Sequence, residues 1–232
     1  MPIAPQILLP LESRRPDRFE DFIPGPNQSL ISTLQEMAQS GEVCLFIRGP
    51  EGSGKSHLLN ATCNLAQERS LHAFYMALGN VPATASVGLT GLEEMDLVCF
   101  DDIDQVIGNL EWENALFHLF NRMRAGRRRL VISSTQPLSA LEFALPDLSS
   151  RLAWGLRLQL EPLDDRAKKE VLQRRAAMQG IDLPADVTYY LLSRGSRNTA
   201  HLLGNLEAVR IAALAAKRRI TVPLAREVLA GE

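Results

Sequence analysis

Apolar residues fall into two kinds of pattern along this chain. Short runs suited to strands occur at Glu42–Arg48, His72–Leu78, Asp96–Phe100, Arg129–Ser134 and Leu156–Leu160, and those at His72–Leu78 and Asp96–Phe100 are mostly apolar without polar alternation. Runs of that length fit strands covered on both faces, as in a parallel sheet. Between them the apolar positions recur at helical spacing, most plainly at Trp112, Leu116, Leu119, Phe120 and Met123 within Leu110–Ala125, which Gly126 ends. Asn27 is placed to cap a helix reaching about Ala38, closed by Ser40-Gly41, and another helix follows the first strand and reaches about Arg69. About five strands alternating with helices predict an α/β domain with a parallel sheet over residues 17–162.

Beyond Pro162 the strand pattern stops. Asp164–Met178 places its acids first and its bases later, as the helix dipole favours, and Gly180 follows as a stop. Ala185–Ser193, Thr199–Arg219 and Pro223–Leu229 also read as helices, so residues 163–232 form a small all-helical lid domain. Residues 1–16 stand apart at the other end. Pro2, Pro5, Pro10 and Pro16 interrupt a short apolar cluster, which predicts an extended tail.

Composition narrows the class without naming it. The 232 residues carry 25 Lys+Arg against 27 Asp+Glu, with 46% hydrophobic residues, which excludes disordered, collagen-like and disulfide-scaffold chains. A formal net charge of -2 gives no global attraction to nucleic acid, so any DNA contact is local or made through a partner. Cys44, Cys63 and Cys99 lie in apolar or helical runs with no C-x-x-C spacing, the pattern of buried reduced thiols. The N-terminal residues show no basic-then-apolar signal pattern, and nothing approaches the ~18 consecutive apolar residues of a spanning helix. A cytoplasmic protein with no membrane partner is expected. His57, His72, His118 and His201 are scattered without metal-ligand spacing.

The chemistry enters at Gly49-Pro50-Glu51-Gly52-Ser53-Gly54-Lys55-Ser56, a full match to G-x-x-x-x-G-K-[ST] between a predicted strand and a predicted helix. Glycines let the loop wrap its N–H groups around phosphate oxygens, and the helix N-terminus behind it adds a favourable dipole. Lys55 reaches the β- and γ-phosphates, the Ser56 hydroxyl is a ligand for Mg²⁺, and His57 closes the nucleotide-binding stretch. Leu97–Asp102 is an apolar strand ending in two carboxylates. Asp101 is placed to hold a hydrated Mg²⁺ and Asp102 to orient a water. A bound nucleoside di- or triphosphate, ADP or ATP with Mg²⁺, is the expected cofactor. A P-loop kinase and an AAA+ ATPase or switch both satisfy these features; the position of the helical domain after the α/β core favours the second.

Four further stretches carry a resemblance. Phe19–Asn27 precedes the first helix, Phe117–Asn121 lies on the helix after the acidic strand, Ser150-Arg151-Leu152-Ala153-Trp154-Gly155 precedes the fifth strand, and Arg219–Val222 lies late in the lid. With the phosphate loop and Asp101-Asp102-Ile103, residues 17–230 resemble the AAA+ domain of the bacterial replication initiator DnaA. The chain stops where the initiator's DNA-binding helix-turn-helix would begin, and Gln6-Ile7-Leu8-Leu9-Pro10-Leu11 looks like a sliding-clamp-binding peptide. That combination is similar to the Hda family of regulatory inactivators, a DnaA-related branch of AAA+.

The resemblance implies a negative regulator of replication initiation. Such a protein docks on the DNA-loaded β sliding clamp, meets DNA only through it, and stimulates hydrolysis of ATP bound to the initiator; self-association is left open. Leu8, Leu9 and Leu11 would fill an apolar groove, with Pro10 lowering the ordering cost. Arg151 matches the family's arginine finger and would act in trans; a surface Arg paired with Asp147 is the plainer alternative. Phe22, Ile23 and Pro24 match the stretch flanking the adenine ring, where core packing is the competing role. Ser134 and Thr135 are first-sensor candidates, although the initiator has Asp at the Thr135 position. In the second-sensor stretch this chain has Ala200 in place of an Arg, with Arg197 as the nearest substitute. A nucleotide-bound module with weak or no ATPase of its own is therefore expected; a self-contained ATPase of the helicase-loader type is the alternative. Arg122, Arg124, Arg127, Arg128 and Arg129 form the densest basic cluster, read as a helix end complementing the dipole or as a contact to DNA or the initiator.

Overall fold

A computed structural model of the chain describes residues 16–41, 43–81, 88–194 and 198–230. The clamp-like peptide Gln6–Leu11 and the sensor candidate Arg197 lie outside the described residues.

Five parallel strands form one sheet: β1 (Cys44–Arg48), β2 (Ala73–Ala77), β3 (Leu97–Asp101), β4 (Arg129–Ser134) and β5 (Leu156–Gln159), in the order β2-β3-β4-β1-β5. Strand residues alternate between the two faces. Cys44, Phe46, Val98, Phe100, Leu130 and Ile132 pack into one hydrophobic cluster, and Leu45, Ile47, Leu97, Cys99 and Val131 into the other. Both faces are thus apolar, which is why the central strands read as unbroken runs. Helices α1 (Gln28–Met37) and α2 (Lys55–Glu68) cover one face. α3 (Leu110–Ala125) and α4 (Pro146–Leu152) cover the other with Trp112, Leu116, Leu119, Leu148 and Leu152. Cys44, Cys63 and Cys99 are buried and free, and burial pushes the Cys44 thiol up to about 12.

α5 (Asp165–Met178), α6 (Ala185–Arg194), α7 (Thr199–Ala215) and α8 (Val222–Leu229) enclose a separate core that includes Leu172, Val187, Leu191, Leu206, Val209 and Leu224. A small apolar seam of Ile23, Leu163 and Ala167 joins the segment before α1 to α5, and Arg174 Nη1 donates to the Glu20 carbonyl at 2.6 Å. α7 stops short of the expected Arg219. Lys217 takes a left-handed φ of 51°, and the Arg218 N–H turns back to the Ala213 carbonyl at 2.9 Å.

Asn27 is not the side-chain cap that its position predicts. Its amide is buried and bridges to Glu161, two residues beyond β5, donating to the Glu161 carbonyl at 3.0 Å and accepting from the Glu161 N–H at 2.8 Å. The same donor–acceptor pair that suits an Asn to capping suits it to pairing with a backbone unit, and here the tertiary partner wins. Among the described residues no helix is long and apolar enough to cross a membrane.

Candidate functional site

The carboxyl ends of β1, β3 and β4 open on the same edge of the sheet, where α/β folds bind their ligands. From β1 the chain enters the Gly49–Ser56 loop and then α2. Gly52 and Gly54 take left-handed φ values of 68° and 100°, which an L side chain adopts only at a cost. Both are also crowded: a Cβ on Gly52 would lie 1.6 Å from Asn198 Oδ1, and one on Gly54 would lie 2.7 Å from Phe22 Cε2. The loop is therefore hemmed in by the segment before α1 on one side and by the start of α7 on the other. Asn198 is the cap of α7, accepting from the Ala200 N–H at 2.8 Å.

A cleft of about 410 Å³ lies over the loop, within the range of small-ligand sites. Gly52, Ser53, Gly54, Lys55, Ser56 and His57 line its loop side, and Phe22 and Ile23 line it from the segment before α1. Asp102 and Thr135 enter from the strand ends, and Thr199, Ala200 and Leu203 from the lid. Lys55 is buried, and its Nζ donates to the carbonyls of Gly49 (3.1 Å) and Pro50 (3.3 Å), so those two residues hold the lysine from behind rather than lining the cleft. Two buried polar atoms on the lining, Ser53 Oγ and Asp102 Oδ1, have no hydrogen-bond partner within the protein. Asp102 Oδ1 has the Lys55 ammonium 3.6 Å away, whereas a buried hydroxyl without a partner, such as Ser53 Oγ, is costly and marks a place where an outside ligand completes the bonding.

The two adjacent aspartates have unlike environments. Asp101 is 2% exposed and its carboxylate is fully engaged, accepting from Tyr75 Oη at 2.9 Å and from the Ser133 hydroxyl. It does not line the cleft. Asp102 does. Its backbone is left-handed (φ 54°, ψ 58°), its N–H donates to Ser133 Oγ at 2.9 Å, and its Oδ1 stands 3.6 Å from Lys55 Nζ. Burial first, and then the charge of Asp101, push the Asp102 carboxyl up, while Lys55 pulls it down. Burial, followed by the Asp101 charge and hydrogen bond, likewise pushes the Tyr75 hydroxyl up.

The sensor candidates divide in the same way. Ser134 is buried and its Oγ accepts from the Gln136 N–H at 3.0 Å, off the lining. Thr135 lines the cleft, and its hydroxyl donates to Asp104 Oδ2 at 2.7 Å. Burial alone would raise the Asp104 carboxyl, but the Thr135 hydroxyl and N–H outweigh it and hold it low. Ser133, Tyr75 and Asp104 were not anticipated. Strand alternation was the available signal for Ser133, because the register that pairs Phe100 with Ile132 brings Asp101 opposite Ser133.

His57 sits at the rim, its ring stacked on Phe22 at 5.9 Å. Nδ1 lies 3.1 Å from Asp17 Oδ1 and Nε2 lies 2.9 Å from the Arg18 carbonyl. It thereby fastens the Asp17–Ile23 segment to α2. Arg151 is elsewhere. It is on α4, a helix not anticipated, and outside the cleft lining. Its Cζ stands 4.5 Å from the ring centroid of Trp154 and 5.8 Å from that of Phe117, and no ion pair with Asp147 forms among the described residues.

Comparison with known proteins gives two family matches. Residues 165–229 match the family described as "Hda, lid domain", and residues 89–159 match "Bacterial DnaA ATPase domain". Among solved structures, domain III of the replication initiation protein DnaA from Thermotoga maritima is 26% identical, with 94% of this chain and 97% of that chain covered and a TM-score of 0.83. AMPPCP-bound DnaA from Aquifex aeolicus is 22% identical over 86% of this chain and 66% of that chain, at a TM-score of 0.74. The Thermotoga maritima RuvB branch migration motor is 20% identical over 94% and 72% of the two chains, at a TM-score of 0.70, and shares the fold.

Proposed function

We propose that this chain, an AAA+ protein related to DnaA and Hda, holds ADP or ATP in its own cleft and serves as a regulator that presents Arg151 to ATP held by a DnaA initiator. In this reading it docks on the DNA-loaded β sliding clamp through Gln6–Leu11, reaches DNA only through that clamp, and limits initiation by converting the initiator to its ADP form.

The observation that carries the reading is the separation of the two chemistries. The loop, Lys55 and Asp102 form a nucleotide cradle, whereas Arg151 stands outside that cradle on an exposed aromatic surface without an acidic partner among the described residues. A guanidinium so placed serves a nucleotide in another molecule rather than its own. In the partner's site a water adds to the γ-phosphorus, the bond to the β–γ bridging oxygen breaks, and ADP, phosphate and a proton leave. Arg151 would stabilise charge that builds on the γ-phosphoryl oxygens and the bridging oxygen during that step. Arginine fingers contribute ~10³–10⁵ in rate elsewhere.

The home cleft supports nucleotide retention with little turnover. Ser56 and Asp102, whose Oδ1 faces Lys55 without a hydrogen bond, suit a hydrated Mg²⁺. When bound, such an ion would neutralise phosphate charge. The lid offers Ala200 to the cleft, an apolar side chain that cannot donate to a γ-phosphate. An Arg151→Ala variant should retain nucleotide and clamp binding and lose the acceleration of initiator-bound ATP hydrolysis. Undiminished acceleration by that variant overturns the assignment.

A further inference from the structure

The arginine cluster at the end of α3 resolves into unlike parts. Arg122 Nε lies 3.2 Å from Glu93 Oε1, and Arg128 pairs with Asp96. Arg129 is buried, donating through Nη1 to the Met37 carbonyl at 2.8 Å and through Nε to the Asp96 carbonyl at 3.2 Å. Those three are tied into the fold. Arg124 is different: its Cζ lies 4.4 Å from the ring centroid of Trp154, the same ring that Arg151 approaches at 4.5 Å. Two guanidinium carbons are therefore held within about 9 Å of each other by one indole. That indole is 58% exposed, a large apolar side chain left at the surface. Among the described residues neither guanidinium has an ion pair with a carboxylate.

Cation–π contacts orient a guanidinium without neutralising it, and the described residues supply no counter-charge for this pair. We propose that Arg124 and Arg151, ordered on Trp154, form a two-guanidinium site for the polyphosphate of a nucleotide bound to a second AAA+ module. The inference rests on the trans role of Arg151 given above and adds two residues to it. Arg124 grips phosphate oxygens beside those that Arg151 reaches, and Trp154 is a positioning residue that fixes the distance between the two forks. Planar guanidinium groups suit the bidentate recognition of phosphate oxygens. A duplex backbone would be met by a row of free cations along a surface. Here Arg122, Arg128 and Arg129 already have internal partners and Arg127 is exposed without a ring contact, so Arg124 and Arg151 are the two that share one indole, a compact pair suited to one polyphosphate.

The test is single-turnover hydrolysis of initiator-bound ATP at a DNA-loaded clamp, with the full chain and its variants R124A, R124K, W154A, W154F and R151A. Each variant is first checked for unchanged nucleotide binding and circular dichroism. R124A should lower the rate by roughly 10–100-fold, the loss expected for one charge-assisted contact, and R151A by more. R124K should recover only part of the loss, because the charge returns without the fork. W154A should resemble R124A, and W154F, which keeps an aromatic face, should recover most of the rate. Full activity of R124A together with an inactive R151A overturns the two-guanidinium site and leaves the Arg151 reading standing. Full activity of R151A overturns both. If R124A loses hydrolysis in proportion to its affinity for a short duplex oligonucleotide measured without clamp, Arg124 contacts DNA and the proposal fails.

Discussion

Glu113 is where a single substitution reports most clearly on how the fold holds Arg151 in place. Its side chain is 0% exposed although it sits on α3. Oε1 accepts from the N–H groups of Gly108 (2.7 Å) and Ala144 (3.0 Å), and Oε2 accepts from the N–H of Leu145 (2.6 Å). Gly108 follows β3, whereas Ala144 and Leu145 lead into α4, so one carboxylate welds the loop after the acidic strand to the entry of the Arg151 helix. Hydrogen bonds to a charged acceptor are worth about 1.5–3 kcal/mol each, but Gly108 and Ala144 are themselves exposed, so water can take over part of the bonding after truncation. A net cost of about 3 kcal/mol for Glu113→Ala follows, and for a chain of this size that corresponds to a fall in Tm of roughly 6–12 °C. Glu113→Gln retains an acceptor for two of the three donors and sets an amide donor against the third, so it should cost roughly half as much. Thermal unfolding followed by circular dichroism reads both. A Glu113→Ala protein melting within a degree or two of the parent would refute the reasoning, as would a Gln variant less stable than the Ala variant.

Other expectations follow from the same geometry. Asn27→Ala removes both bonds to Glu161 and should lower stability by about 2 kcal/mol, read in a urea titration as a lower midpoint with unchanged slope. Gly52→Ala meets a left-handed φ and the Asn198 side chain together, so nucleotide affinity measured by fluorescence titration should fall at least tenfold while Gly180→Ala, at a left-handed glycine with open space around it, leaves it unchanged. Asp96 accepts from the His72 N–H and pairs with Arg128, which hold its carboxyl below the usual range against the opposing effect of burial. A lowered folded value means that this stabilisation is present above the unfolded carboxylate range and is lost as pH falls through the folded value. The Tm gap between parent and Asp96→Asn should therefore be widest near neutral pH and close in acid. A gap that stays constant down to pH 3 would contradict that account.

Residue spacing made the phosphate loop legible because the ligand chemistry itself dictates the spacing: glycine where φ is positive, and lysine and serine at the start of the helix. The central strands were equally readable, since burial on both faces leaves an unbroken apolar run. What escaped were roles decided by tertiary neighbours. Asn27 carries the chemistry of a cap and spends it on Glu161. Asp101 and Asp102 look equivalent in sequence, yet Tyr75 and Ser133 enclose the first and leave the second facing the cleft. Pro146 and Asp147 opening a seven-residue helix were a usable but weak signal for α4. Nothing local marks Glu113 as buried, because its three donors come from loops on either side of α3.

The most direct measurement follows ATP bound to the initiator over time in the presence of DNA-loaded clamp, with this protein added or omitted. The account predicts rapid conversion to ADP only when the protein and the clamp are both present, with little hydrolysis of the protein's own nucleotide. Equal rates with and without the protein, or brisk ATP turnover by the protein alone, would contradict it.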